Sequence, residues 1–332
     1  MPPPGRRVQS RNDSGTATPS VTPVIGRARA MATDISITAV GEDRARLRSA
    51  VDQALAVFRD VESACTRFDP HSALMKANAS PAEWTAVPPR CLEALAAAAA
   101  AYVRTCGRFD PRVHDDLCRL GYERSLAFEA GDVVLRAPSA RPRPELPEWK
   151  PRFRPRLGLV HLGGYRVDLG GIGKGLAVRW AVETLREHTD DFLVEAGGDC
   201  YAAGYAPDGG PWRIGVEDPL NAAQPIAVLA VSDGAVATSS VRIRRWTAGG
   251  AEVHHLIDPR TGLPGGAGLC AVTVVGDDVA DAEVDAKAIF LEGQLAIAAA
   301  VRSGLTAACW VTTDGTHEFS TAIEPYIQWR RA

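Results

Sequence analysis

The chain has 332 residues, of which 46% are hydrophobic and 23% charged, and its formal net charge is −3 at pH 7. This size and composition suit one large or two smaller globular domains, and no apolar run approaches the roughly 20 residues of a membrane-spanning helix. The small negative charge gives no electrostatic case for binding nucleic acid. Neither a membrane nor a nucleic acid is therefore predicted as a partner.

The seven cysteines are odd in number and lack CxxC spacing. That pattern favours reduced thiols in a cytoplasmic protein over a disulfide framework or a zinc site. Residues 1–30 are rich in Pro, Arg, Ser and Thr and lack the apolar stretch of an export signal. We predict that they form a disordered extension, or sequence upstream of a later start at Met31.

The predicted elements begin at Met31, where residues 33–41 alternate in the manner of a strand. Residues 43–63 then place their apolar side chains on one helical stripe. Ser72 is well placed to cap a short helix that ends near Asn78. A further helix is predicted over residues 89–106, because Gly107 follows it.

Residues 165–187 read as a strand, a glycine-rich turn and an amphipathic helix. Such a turn can direct backbone N–H groups and a helix N-terminus at a phosphate. Lys174 is followed by Gly175 rather than Ser or Thr, so the turn is not a Walker A loop. Because glycines also serve tight connections between a strand and a helix, both interpretations stay open.

Downstream, residues 192–205 read as strand, glycine turn and strand, residues 211–240 continue the sheet, and residues 306–320 form a closing hairpin. Strands outnumber helices and do not alternate with them strictly. The predicted fold class is therefore α+β, with mixed, mostly antiparallel sheets and packed helices.

Eight segments stand out in order: MATDIS, TRFDPHSALMKAN, GRFDPRV, VDLGGIGKG, VEAGGD, ATSS, HHLIDPRTG and an acidic loop that opens the AEVDAKAIF helix. Together they resemble the FAD:protein FMN transferase family, the ApbE-type flavin transferases. The resemblance covers about residues 31–315. It implies an ApbE-like fold, with a flavin transferase-like catalytic domain over residues 31–320.

The resemblance further implies a Mg²⁺-dependent enzyme that binds FAD and breaks its pyrophosphate. The FMN half would be joined to a Thr or Ser hydroxyl of an acceptor protein, and AMP would be released. Such phosphoryl transfer needs positioning, charge neutralisation and removal of a proton. Two alternatives stay open, namely an FAD-binding carrier or accessory protein without transfer activity, and a hydrolase that splits FAD into FMN and AMP.

Ten residues match family positions that contact the nucleotide: Met31, Phe68, Phe109, Asp110, Pro111, Asp168, Lys174, Thr238, Ser239 and Ile257. Met31 and Phe68 are equally compatible with plain apolar packing, and Asp168 with a structural turn. His255 matches the position at which we expect the general base, since imidazole titrates near working pH. Its neighbour His254 would point the other way in an extended chain.

Gly171 and Glu283 match the family's metal-contacting positions. Where the family has a threonine oxygen, this chain has Lys287, whose ammonium has no lone pair for a metal. Lys287 could form an ordinary i,i+4 ion pair with Glu283. Alternatively, its ammonium could take the place of the metal and act catalytically on the pyrophosphate.

Two further features bear on this departure. Asp281 and Asp285 could rebuild a metal site with Glu283, although Asp285 lies on a different side of the predicted helix. The segment TSSVRIRRW replaces the family's usual Thr-Ser-Gly-Asp-Tyr, which puts Ser240 in place of the glycine and adds positive charge.

Overall fold

The largest element of the computed structural model is an eight-stranded antiparallel sheet. The structure describes residues 22–128, 133–135, 142–297 and 306–331. In spatial order, the strands of this sheet are β1 (Val24–Ala30), β2 (Thr33–Val40), β7 (Asp191–Ala196), β8 (Asp199–Ala203), β11 (Gly234–Ser240), β16 (Leu269–Gly276), β17 (Ala307–Thr312) and β18 (His317–Phe319).

Smaller sheets surround it. One contains β9 (Trp212–Glu217), β10 (Pro225–Val231) and β19 (Ile327–Arg330), and another β4 (Val134–Leu135), β12 (Arg245–Ala248) and β13 (Ala251–His254). The others contain β3 (Thr85–Ala86), β5 (Arg152–Arg154) and β6 (Leu159–His161), and the pair β14 (Ile257–Asp258) and β15 (Leu263–Pro264). The predicted α+β class is confirmed, because β4 and β12 form the one parallel pair in the part of the chain described.

The α-helices that the structure describes from end to end are α1 (Arg44–Cys65), α2 (Ala73–Ala79), α3 (Pro89–Arg104), α4 (His114–Arg119), α5 (Gly173–Arg186) and α6 (Val279–Glu292). The Ser72 hydroxyl accepts a hydrogen bond from the Met75 N–H at 3.1 Å, so the predicted cap of α2 is confirmed. Among the helices that the structure describes, none has both the length and the apolar character required to cross a membrane.

The main sheet separates two apolar cores. Along β7, Phe192 and Val194 belong to the core beneath the helices, whereas Leu193 belongs to the core shared with β9 and β10. This alternation follows from the two-residue period of a strand. The prediction that β9 and β10 extend the main sheet is therefore wrong, since they pair with each other and with β19 in a separate sheet.

Part of the predicted N-terminal extension is folded. Residues 24–30 form β1, which pairs with β2 along its whole length. The sequence concealed this strand because Arg27 and Arg29, both on its exposed face, interrupt the apolar pattern. The prediction of disorder is wrong for β1, and residues 1–21 lie outside the described residues.

Met31 does not open a strand. It lies with Ala32 in the two-residue turn between β1 and β2, where both residues have positive φ, 55° and 56°. This is the backbone of a type I′ turn, which normally selects Asn or Gly, so two L side chains there are held against a local energetic cost.

The segment that precedes α5 is extended but is not a strand. The Val167 N–H donates to the Asn78 Oδ1, and the Asn78 Nδ2 donates to the Val167 carbonyl, each at 2.9 Å. The Asp168 N–H donates to the Pro111 carbonyl at 2.7 Å. A side chain thus replaces the partner strand that the sequence pattern had predicted.

Candidate functional site

Two cavities meet beside the glycine-rich turn. The first has a volume of about 270 Å³ and the second about 440 Å³. The residues that line both are Ala32, Gly170, Lys174, Arg244, His255 and Lys287. We call this shared region the junction. Together the cavities are within the size range of ligand pockets, about 300–1,000 Å³.

The first cavity is largely apolar and aromatic. Its apolar lining includes Met31, Phe68, Phe109, Leu117, Tyr122, Leu169, Ile257 and Leu291. Met31 is held in its strained turn by a hydrogen bond from its N–H to the Glu62 Oε1 at 2.8 Å. Phe68 is 37% exposed and packs on Tyr122, with 5.5 Å between ring centroids. A flat ring system could pack against this lining.

Asp168 lines the first cavity and forms an ion pair with Arg67. The Arg67 Nε is 2.7 Å from the Asp168 Oδ2, and its guanidinium carbon is 4.3 Å from the ring centroids of both Phe68 and Tyr122. The Arg67 Nη2 is buried and has no hydrogen-bond partner in the described structure. Sequence reasoning missed Arg67, although it directly precedes the selected Phe68.

The predicted residues Asp110 and Pro111 also line the first cavity. The Asp110 carboxylate forms a fork with the Arg112 guanidinium, with an Oδ2 to Nη2 distance of 2.7 Å. Pro111 accepts the hydrogen bond of Asp168 described above. Asp110 is therefore already paired, and Pro111 supports the segment that leads into the glycine-rich turn.

The backbone donors of that turn are largely used within the protein. Gly170 N–H donates to the Asp168 Oδ1 at 2.6 Å, and Gly175 N–H donates to the Glu283 Oε2 at 2.8 Å. The N–H groups of residues 172 and 173 both donate to the Leu169 carbonyl. Four donors of the predicted phosphate cradle are therefore engaged, and positive charge near the turn must come from side chains.

Lys174 lies in the junction but is already neutralised. Its Nζ is 2.9 Å from the Glu283 Oε1 and also contacts the Asp199 carboxylate. Burial by itself would lower the pKa of Lys174, yet the two carboxylates outweigh burial and raise it. The ammonium remains charged and ties α5 to α6 and β8.

Lys287 and Arg244 differ from Lys174, because neither side chain has a hydrogen bond or ion pair in the residues described. A methyl group added at Gly171 would collide with the Lys287 Nζ and lie 3.1 Å from the Phe109 ring. The i,i+4 ion pair with Glu283, one of the two alternatives for Lys287, does not form, since Glu283 binds Lys174. Burial lowers the pKa of Lys287, and the charges of Lys174 and Arg244 act in the same direction, against the opposing charges of Glu283 and Asp168.

His255 faces the same junction. Its Nδ1 is 3.3 Å from the Arg244 carbonyl, to which it can donate, and this leaves Nε2 as the acceptor. Burial, followed by the charges of Arg244 and Lys287, holds the pKa of His255 well below its ordinary value of 6.5. The imidazole is thus neutral at pH 7 and able to take a proton. His254 instead packs edge-on against Phe290 at 6.1 Å and lines neither cavity.

The second cavity is more polar. Thr238 and Ser239 of β11 line it, and the Thr238 Oγ1 is 2.9 Å from the Thr273 Oγ1. Arg242 lies on the same wall and pairs with Glu217 at 2.8 Å. Arg244 was not among the predicted site residues. The cluster of three arginines at positions 242, 244 and 245 was its one signal in the sequence.

A divalent metal does not fit the donor atoms present. Both oxygens of Glu283 are engaged, and the Lys287 ammonium lies against Gly171, the second predicted metal contact. Asp281 and Asp285 face away from this point and bind Arg104. Within the described residues, no group of three or more His, Cys, Asp or Glu side chains is arranged to hold a metal ion.

Comparison with known proteins settles the family. The model of the ApbE family matches residues 31–310, which is most of the chain. This chain belongs to the ApbE family. The resemblance seen in the sequence motifs is thereby confirmed.

Two curated relatives and one solved structure are similar to this chain. A Treponema pallidum protein called FAD:protein FMN transferase is 28% identical over 267 residues, covering 75% of this chain and 73% of its own length. A Chlamydia pneumoniae protein of the same name is 35% identical over 99 residues, about 30% of each chain. The crystal structure of the ApbE protein from Thermotoga maritima superposes with a TM-score of 0.78 at 26% identity, covering 93% of this chain and all of its own.

Proposed function

We propose that this chain transfers the FMN half of FAD to a threonine or serine hydroxyl of an acceptor protein and releases AMP. Membership of the ApbE family and the shared name of its relatives support the reaction class. One observation carries the proposal. An aromatic cavity and a polar cavity meet at a junction lined by Lys174, Arg244, His255 and Lys287, which suits a ligand that joins a flat ring to a pyrophosphate.

In the proposed reaction, a ring of FAD packs beside Phe68 and Phe109, and the pyrophosphate lies in the junction. The His255 Nε2 accepts the proton of the acceptor hydroxyl. The acceptor oxygen forms a bond to the FMN phosphorus, and the bond from that phosphorus to the bridging oxygen breaks. AMP leaves with the bridging oxygen, and positive side chains offset the charge that develops on it.

The polar second cavity is where we place the acceptor segment, beside Thr238 and Ser239. We propose a cytoplasmic acceptor, in keeping with the seven cysteines, all of which are free thiols. Magnesium stays a prediction from the sequence resemblance, which the donor atoms around Glu283 do not support.

The test is to incubate the protein with FAD and a panel of threonine- and serine-containing peptides, with millimolar Mg²⁺ present. We expect AMP to appear together with flavin fluorescence that follows a peptide through a denaturing gel. FAD binding without AMP would favour the carrier function. AMP without labelled peptide would favour the hydrolase.

A further inference from the structure

We propose that Lys287 and Arg244 supply, as fixed side-chain charges, the neutralisation that a divalent metal would otherwise give, so that this site binds a dinucleotide pyrophosphate without metal. The inference rests on the proposed function in taking FAD as the ligand. It goes beyond that function by naming the groups that hold the pyrophosphate.

The acidic groups near the junction already have hydrogen-bond and ion-pair partners. Glu283 uses one oxygen for Lys174 and the other for the Gly175 N–H. Asp199 accepts from Lys174 and from the Thr238 N–H. Asp168 accepts from the Gly170 N–H and pairs with Arg67. A metal bound by Glu283 or Asp199 would compete with the Lys174 ammonium, whose contacts join α5 to α6 and to the main sheet.

The cations of the junction outnumber its anions. Lys174 lies between the Asp199 and Glu283 carboxylates. Arg244 and Lys287 line both cavities and form no ion pair among the described residues. Two like charges facing one space repel each other until an anion enters. Lys174, Arg244 and Lys287 exceed the Asp199 and Glu283 carboxylates by one positive charge, so an anionic pyrophosphate would be attracted to the two cations without ion pairs.

The Lys287 side chain lies directly against the glycine-rich turn. Lys287 projects from α6, a helix of 14 residues, and its ammonium lies where even a methyl group at Gly171 could not fit. The turn itself offers few free backbone donors, because Gly170 and Gly175 donate within the protein. A phosphate at the junction would therefore be held mainly by side-chain charges.

The experiment measures FAD affinity from the change in flavin fluorescence, in EDTA and in millimolar Mg²⁺. We expect the wild-type protein to bind FAD equally well in both. Lys287→Thr and Arg244→Gln should each weaken binding in EDTA about 10-fold or more, the loss expected for one charge-assisted contact. Mg²⁺ should restore part of the affinity of Lys287→Thr, because the charge is gone and a hydroxyl is present. Lys287→Arg should retain most of the wild-type affinity for FAD, because it keeps the positive charge.

Lys150→Thr is the matched control, because it removes the same charge from an exposed ion pair with Glu148. Circular dichroism of each variant separates a binding defect from unfolding. Wild-type binding that requires Mg²⁺ would overturn the inference, as would Lys287→Thr binding FAD at wild-type strength in EDTA. Metal-free, Lys287-dependent binding without any peptide labelling would leave the inference standing and reject the transferase function alone.

Discussion

His255 illustrates how the surroundings of one residue decide its chemistry. Its imidazole is buried beside Arg244 and Lys287, and burial together with these charges disfavours the protonated form. A neutral imidazole with Nδ1 turned to a carbonyl offers Nε2 as a base. The same positive charges would stabilise departing phosphate oxygens.

His255→Asn should lower the rate of FMN transfer by about 10²- to 10⁴-fold, the usual contribution of a general base. FAD affinity should change little, because the variant keeps the cationic side chains. Rate and affinity are measured by labelled-peptide formation and by flavin fluorescence. His254→Asn is the control and should retain activity, since His254 lines neither cavity. Equal losses in both variants would exclude His255 as the base.

His254 should make the stability of the protein pH-dependent. Burial lowers the pKa of His254 from 6.5 to about 4, so on acidification the unfolded chain binds a proton before the folded chain does. The stability is fully present above pH 6.5 and is lost as the pH falls toward 4. Protonation of His254 in the unfolded chain should lower the free energy of unfolding by about 2 kcal/mol between pH 7 and pH 5.

The measurement is urea unfolding of the wild type and His254→Gln at both pH values. The carboxyl groups of Glu195 and Asp116, whose pKa values burial raises, act in the opposite direction in both proteins. The difference between the two proteins therefore isolates the histidine. Parallel pH dependence in wild type and variant would show that His254 is not the titrating group.

The sequence motifs identified many of the cavity residues, including Phe109, Asp168 and His255. They could not reveal which side chains bind one another. The partner of Glu283 is Lys174, 109 positions away, rather than the neighbouring Lys287. Arg67 and Arg244 were not selected, because neither a single arginine nor an arginine cluster has a spacing that distinguishes a cavity from a solvated surface.

Among the elements, the contact between α5 and α6 has the most direct bearing on the junction. Gly175 lies at that contact, where an added Cβ would be 2.6 Å from the Ala280 Cα and 2.8 Å from the Val279 carbonyl oxygen. Both neighbours are backbone and cannot rotate away. The glycine after Lys174 is therefore needed for close helix packing, which in turn sets Glu283 beside Lys174.

Gly175→Ala should destabilise the protein by about 1–3 kcal/mol, the usual cost of overpacking, despite the better helix propensity of alanine. Gly215→Ala is the control, because the nearest atom to its added Cβ is the Pro225 Cβ at 3.9 Å. Thermal unfolding of both variants gives the comparison. Equal thermal stability of Gly175→Ala and the wild type would contradict the close approach of α5 and α6.

Periodicity predicted α1, α2 and α3 to within a few residues, because their apolar stripes and caps are local signals. It failed where tertiary contacts replace local ones. β1 is a strand because it pairs with β2, despite its alternating arginines. Residues 165–168 are held by Asn78 and by the Pro111 carbonyl, which no local pattern could indicate.

In the whole molecule, the main sheet and its helices bring distant segments to one point. The junction combines side chains from α5, α6 and the segment between β11 and β14, together with the hairpin turn after β1. The α+β class could be predicted from the order of strand and helix patterns. The separate sheet of β9, β10 and β19 could not, since a strand pattern does not name its partner.

A crystal structure of the protein with FAD, grown in EDTA, would test the proposed site most directly. We expect a ring of FAD beside Phe68 and Phe109, and pyrophosphate oxygens within hydrogen-bond distance of the Lys287 Nζ and the Arg244 guanidinium. FAD bound away from the junction would contradict it.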